Sequence, residues 1–289
     1  MRRRPIVHTF EYEPGQTFKL RPFGDQHLGG RDCDVAAIKR DVASVAEDPD
    51  TYWLQMGDAG EFIDVKDRRF SPGMYTQRYM DAMHRDGDVH MEMVKHYGEL
   101  YASIKDKCLA VLKGNHEERV WQRLNIDLGT AIALTLERPD LLLGYSGWVV
   151  LKFKRKSSGA AGSTFNVNLQ LHHGWSAARS PGSFYNQARL EKAANPAADI
   201  ILRGHAHSRE ARVWDSTTLG RTYVGNRKWC AVLTGTYKNG TIFTEDGEAP
   251  HTTYSEEKGY APVMTMGSPV IEIVPDASME AGFDLKVTL

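Results

Sequence analysis

Residues 18–58 read FKLRPFGDQHLGGRDCDVAAIKRDVASVAEDPDTYWLQMGD, and three patterns follow one another within them. FKLRPFGD is a short strand that runs into a Gly-Asp turn. Val35, Ile38, Val42 and Val45 then recur at the spacing of one helical face, which predicts a helix from about Cys33 to Val45. TYWLQMGD is a second apolar strand ending in a second Gly-Asp turn. A strand, a helix and a strand in succession, with a polar turn closing each strand, indicate an α/β protein. In such folds chemistry collects at the carboxyl ends of the strands.

The same rhythm continues outward from this unit. MEMVKHYGELYASIKD (91–106) reads as helix, and CLAVLKGNH (108–116) as a third strand entering a third polar turn. WVVLKF (148–153) and FNVNLQLHH (165–173) alternate on either side of the Gly/Ser stretch SSGAAGS (157–163), the pattern of a hairpin, and the second arm ends in His-His-Gly. DIILRGHAH (199–207) is a fifth strand of the same kind, and beyond Trp214 the chain turns β-rich. One stretch breaks the alternation. Residues from Phe62 to about His90 are polar and rich in Arg, Asp and Met, so they read as an insertion, close to the active-site face or at an oligomer contact, in one domain spanning 1–289.

Bulk composition narrows the function classes. The 289 residues are 41% hydrophobic and 25% charged, with a formal net charge of -1, which suits an ordinary globular protein rather than a general nucleic-acid coat. No apolar run approaches the roughly 18 residues of a membrane span. The start, MRRRPIVHTFEYEPG, has no apolar signal-peptide core, and its arginines read as a solvated tail. Cys33, Cys108 and Cys230 are odd in number and far apart, which argues against disulfides and for a reducing compartment, so a cytoplasmic location is expected.

The informative observation is where the histidines fall. Six of the eleven, His27, His116, His172, His173, His205 and His207, sit in the turns after these strands, together with Asp25, Asp58 and Asn115. A borderline divalent cation accepts this mixture of imidazole nitrogen with carboxylate and carbonyl oxygen. Two cations a few ångströms apart need an anionic ligand between them, and Asp58, the isolated carboxylate of its turn, is the candidate. Gly24, Gly57, Gly114 and Gly204 each precede a ligand or its neighbour, where glycine permits positive φ and close backbone approach. Any one of these turns alone is an ordinary loop; five in strand-end positions are not.

In this order, D-x-H, GD, GNH-E, His before Gly, and GH-x-H, the motifs resemble those of the calcineurin-like metallophosphoesterases. The likeness runs from Asp25 to His207, with GHAH in place of the commoner GHTH. It implies a four-layer αββα sandwich of two mixed sheets flanked by helices, and two divalent ions, manganese first, with iron, zinc, nickel and cobalt as the other candidates. One ion would take Asp25, His27, Asp58 and His207; the other would take Asp58, Asn115, His173 and His205. His116 would be the acid/base residue oriented by Glu117, and Gly235–Tyr237 resembles the family's closing strand. His173 rather than His172 is chosen because it directly precedes Gly174, which leaves His172 as support.

The expected reaction is hydrolysis of a phosphomonoester or phosphodiester by in-line attack of a metal-bridging hydroxide. Arg179 and Arg203 lie close in sequence to ligands and are candidates to bind the phosphate. Two alternatives accompany this reading. DQHLGG also resembles the opening motif of repair nucleases in the superfamily, which would make the partner a nucleic acid; a non-catalytic scaffold is less favoured because every ligand position is filled. Trp121, Leu124 and Leu128 follow GNHEER at helical spacing and read as core.

Overall fold

The computed structural model describes residues 4–71, 73–85, 88–156, 164–174, 181–219, 224–240, 266–276 and 282–289. Two mixed sheets lie face to face. The first contains β2 (Phe18–Phe23), β3 (Thr51–Gln55) and β4 (Cys108–Val111), all parallel, with β10 (Val270–Pro275) and β11 (Phe283–Thr288) added antiparallel in the order β11-β10-β2-β3-β4. The second has the order β1-β5-β6-β7-β9-β8, built from β1 (Ile6–Tyr12), β5 (Ser146–Arg155), β6 (Thr164–His172), β7 (Ile200–Arg203), β8 (Arg209–Leu219) and β9 (Val224–Thr234).

Strand alternation sorts side chains into layers. Leu20, Leu54 and Leu109 of the first sheet meet Leu151, Leu169 and Leu202 of the second in one buried cluster. On the outer face of the first sheet, Phe23 and Trp53 pack with Ile38 and Val42 of α1 (Val35–Glu47) and with Val94 and Tyr97 of α3 (Val89–Tyr101). Across the molecule, Ile201 and Trp229 pack with Phe184 and Ala188 of α6 (Pro181–Ala194). The expected αββα layering is therefore present. Asp34 starts α1 by accepting a hydrogen bond from the Ala37 amide at 2.8 Å, a cap worth about 1 kcal/mol.

Three expectations need correction. α4 (Asn115–Leu124) stops at Asn125, whose φ of 58° turns the chain, so Leu128 belongs to α5 (Leu128–Thr135). Leu128 is buried, but Trp121 and Leu124 are 44% and 39% exposed rather than core. Gly235–Tyr237 follows the end of β9 and is a turn, not a strand; its Thr236 hydroxyl and Tyr237 amide both donate to the Asp25 carbonyl, at 2.7 and 3.1 Å. The hairpin of β5 and β6 pairs antiparallel as expected, with its Gly/Ser turn outside the described residues. Within the 62–90 stretch, α2 (Gln77–Arg85) packs on α3, and Tyr75 and Tyr79 are buried. Among the described residues, no helix is long and apolar enough to cross a membrane.

Candidate metal centre

The parallel strands β2, β3 and β4 of one sheet and β6 and β7 of the other deliver their turns to a single edge of the sandwich. Ligand atoms of Asp25, Asp58, His173 and His205 all lie within 4.8 Å of one another there, as do those of Asp25, His27 and His207, and of His27, Asp58 and His116. His27 Nε2 is 3.1 Å from His207 Nε2, and His207 Nε2 is 3.4 Å from Asp25 Oδ1. His173 Nε2 stands 3.0 Å from Asn115 Oδ1 and 3.4 Å from Asp58 Oδ2. All seven residues expected as ligands meet in this one place.

Local backbone explains how short turns achieve this. Asp25, His27, Asp58, His205 and His207 themselves adopt positive φ, between 50° and 67°. Left-handed backbone at non-glycine residues is costly and clusters at functional sites. The preceding glycines do something different from what was expected: of the four, only Gly57 has positive φ, at 97°. Their service is close approach. A Cβ on Gly57 would sit 2.5 Å from His173 Nδ1, and one on Gly114 would collide with the Asp58 carboxylate.

The residues fit divalent cations. Asp25 and Asp58 are 0% and 1% exposed and close together, an arrangement of like charges that burial makes expensive without compensating cations. Asp25 Oδ1 and His205 Nδ1 are buried without a hydrogen-bond partner among the described residues. His173 donates from Nδ1 to the Met56 carbonyl at 2.8 Å, which turns Nε2 toward Asp58. Burial opposes charge on this ring, but the Asp58 carboxylate outweighs it and pushes the His173 pKa up to about 10, so a proton stands at Nε2 in the metal-free protein. His172 instead accepts from the Gly174 amide at 2.7 Å and stacks edge-on against Tyr145, which also flanks His173.

Several supporting residues differ from the sequence reading. Glu117 does not touch His116; its carboxylate accepts from the amides of Asp58, Ala59 and Gly114, at 3.1, 2.8 and 2.8 Å, and so ties the β3 turn to the β4 turn. His116 is oriented instead by the Glu61 carbonyl, which accepts from Nδ1, and by Arg69, whose Nη1 donates to Nε2 at 3.3 Å. Arg203 is also corrected. Alternation along β7 turns it to the outer face, where Glu191 of α6 takes its guanidinium. Arg179 lies outside the described residues. His90 is buried beside Phe62 and His84 is exposed; neither is in the cluster.

Glu61, whose role the sequence leaves open, backs the first ligand group. Its Oε2 lies 3.1 Å from His27 Nδ1, off the line of a good hydrogen bond, and accepts from Lys238 Nζ at 2.7 Å. Burial, helped by the charges of Lys238 and His116, drives the His27 pKa down to about 4 against the pull of Glu61, so the ring is neutral and able to bind a metal. Lys238 also pairs with Asp32 at 3.5 Å and is held charged by the two carboxylates despite its burial. Glu61→Gln should weaken metal binding by about 10- to 100-fold, the usual effect of disturbing the support behind a ligating histidine. A calorimetric titration with manganese checks this. Unchanged affinity would make Glu61 a structural partner of Lys238 alone.

No protein-family model matches the chain, and no curated protein matches it in sequence. The order of the motifs from Asp25 to His207 is what resembles the calcineurin-like metallophosphoesterases. Among solved structures the chain is similar to a conserved uncharacterized protein, a predicted phosphoesterase, from Streptococcus pneumoniae, at 13% identity over 94% of this chain and 89% of that one, TM-score 0.32. It is similar to Vps29 complexed with zinc from Entamoeba histolytica at 10% identity over 94% and 98%, TM-score 0.36. A third is Haemophilus influenzae NAD nucleotidase, at 8% identity over 95% of this chain and 49% of that one, TM-score 0.38.

Proposed function

We propose that this chain is a metal-dependent phosphoester hydrolase with a two-cation centre. The observation that carries the reading is the convergence of Asp25, His27, Asp58, Asn115, His173, His205 and His207 from five turns of two sheets onto one cluster, buried at Asp25, His27, Asp58 and His173 and half-buried at the other three. Asp25, His27 and His207 would hold one ion and Asn115, His173 and His205 the other, with Asp58 between them. Bound there, two divalent ions would neutralise phosphoryl charge and lower the pKa of water.

The chain's own residues supply the rest. His116 Nδ1 is fixed by a backbone carbonyl, so proton traffic at this ring passes through Nε2, which faces Arg69. In the protonated state Nε2 would donate to the oxygen of the departing group, with the Arg69 guanidinium beside it on that side. Glu117 keeps the Asp58 turn in register by its three amide contacts and does not exchange protons with His116.

The protein should hold close to two equivalents of manganese or a related ion by elemental analysis. Chelation should abolish hydrolysis of bis-p-nitrophenyl phosphate or p-nitrophenyl phosphate, and added manganese should restore it. Full activity in metal-stripped protein would overturn the reading.

A further inference from the structure

The segment after Asp58 returns to the site carrying a cluster of arginines arranged around one carboxylate. Asp67 has a side chain only 2% exposed, yet three guanidinium groups converge on it. Arg69 contacts both its oxygens at 3.1 Å, Arg123 reaches Oδ2 at 2.9 Å, and Arg119 approaches no closer than 3.6 Å. Asp64 adds one weaker contact to Arg123 at 3.9 Å. Three positive charges are thus packed against one close carboxylate, and the surplus faces outward, since the Arg119 side chain is 44% exposed.

The position of this surplus is as informative as its sign. Arg69 bridges from the cluster to His116 Nε2, the atom that would face the departing group. Asn115, Arg119 and Arg123 are spaced four residues apart on α4, so they form a row on one helical face, each about 6 Å further along the axis than the last. The row therefore begins at a candidate metal ligand and continues as guanidinium groups leading away from the candidate metal site. A salt-bridge knot that only fastened the segment to α4 would need one arginine per carboxylate; here the most exposed arginine has the weakest internal bond.

We propose that Arg69, Arg119 and Arg123 form an anion subsite that receives a second phosphate group of the substrate, on the departing-group side of the scissile one. The substrate class would then be a phosphoester or phosphoanhydride bearing two neighbouring phosphates. This rests on the phosphoesterase reading of the adjacent centre, but its binding arm can be tested without turnover.

Inorganic pyrophosphate is titrated calorimetrically into protein stripped of metal by chelation and desalting, with inorganic phosphate as the comparison. Wild type should favour pyrophosphate, and Arg119→Gln should weaken pyrophosphate binding by about 10-fold, whereas Arg119→Lys should keep most of it because a phosphate reads charge. Undetectable pyrophosphate binding, or equal binding by wild type and Arg119→Gln with melting temperatures recorded alongside, would overturn the proposal. In manganese-loaded enzyme, Arg119→Gln should raise KM for a nucleoside diphosphate about 10-fold more than KM for p-nitrophenyl phosphate. An equal change in both would also overturn it. Oligothymidylates of increasing length distinguish the source of the second phosphate: affinity that keeps rising with length and falls steeply with salt assigns it to a nucleic-acid chain, and affinity that levels off at two phosphates assigns it to a small molecule. If no phosphoester is cleaved at all while pyrophosphate binds through Arg119, the hydrolase reading fails and the anion subsite stands.

Discussion

Asp58→Asn should lower phosphoester hydrolysis by roughly 100-fold or more, beyond what loss of a supporting contact costs a metal site. The substitution is isosteric, and the amide oxygen can still accept from the His116 backbone amide, as Asp58 Oδ1 does at 2.9 Å. What disappears is the negative charge on Oδ2, which lies 3.4 Å from His173 Nε2 and 3.9 Å from His27 Nε2, between the two ligand groups. Both ions should be held less tightly, because each loses a shared anion in a buried place where charge is poorly screened. The metal-free variant relieves the crowding with Asp25 but gives up the buried pairing of Asp58 with protonated His173, so its melting temperature should fall below the parent's. Elemental analysis and melting curves separate the two effects. Near-normal rates at modest manganese would show that Asp58 does not lie between two ions.

His116→Ala should have the opposite profile. Its ring is held by the Glu61 carbonyl and Arg69, so its removal should leave metal content near two equivalents while the rate falls roughly 100-fold or more for substrates with poor leaving groups. For p-nitrophenolate, which departs without a proton, the loss should shrink. His173→Ala should lose one metal and His172→Ala should lose none, because only His173 faces Asp58 and Asn115. Equal metal loss in both histidine variants would show that the pair is wrongly assigned. A leaving-group-independent loss in His116→Ala would show that the ring does not act as a proton donor.

The ligands were legible because each sits at a fixed offset after a short apolar strand, where local pattern and chemistry coincide. Long-range partners were not. Glu61 and Lys238 are 177 residues apart, and nothing in either neighbourhood announces the 2.7 Å contact between them. Glu117 was misread because adjacency in sequence suggested contact with His116, whereas at the third residue of a helix a glutamate bends back to cap the amides of the preceding turn. The outward position of Arg203 does have a local signal in the sequence: Ile200 and Leu202 face the inner core, so period-two alternation puts 201 and 203 on the outer face. β1 and β8 escaped notice because edge strands alternate with exposed polar residues and carry no motif; β1 reads IVHTFEY.

The origin of the ligands in two sheets has a mechanical consequence. One sheet supplies Asp25, His27, Asp58 and Asn115, and the other supplies His173, His205 and His207, so each ion would be a cross-link between halves of the sandwich that otherwise meet mainly through apolar side chains. Such a rivet lends its binding free energy to the fold, about 4 kcal/mol for each site at a thousandfold excess of ion over its dissociation constant. The edge proposed to perform the chemistry would then also be the edge that metal depletion loosens first, and the lifetime of the folded chain would be coupled to the free-ion level of its surroundings.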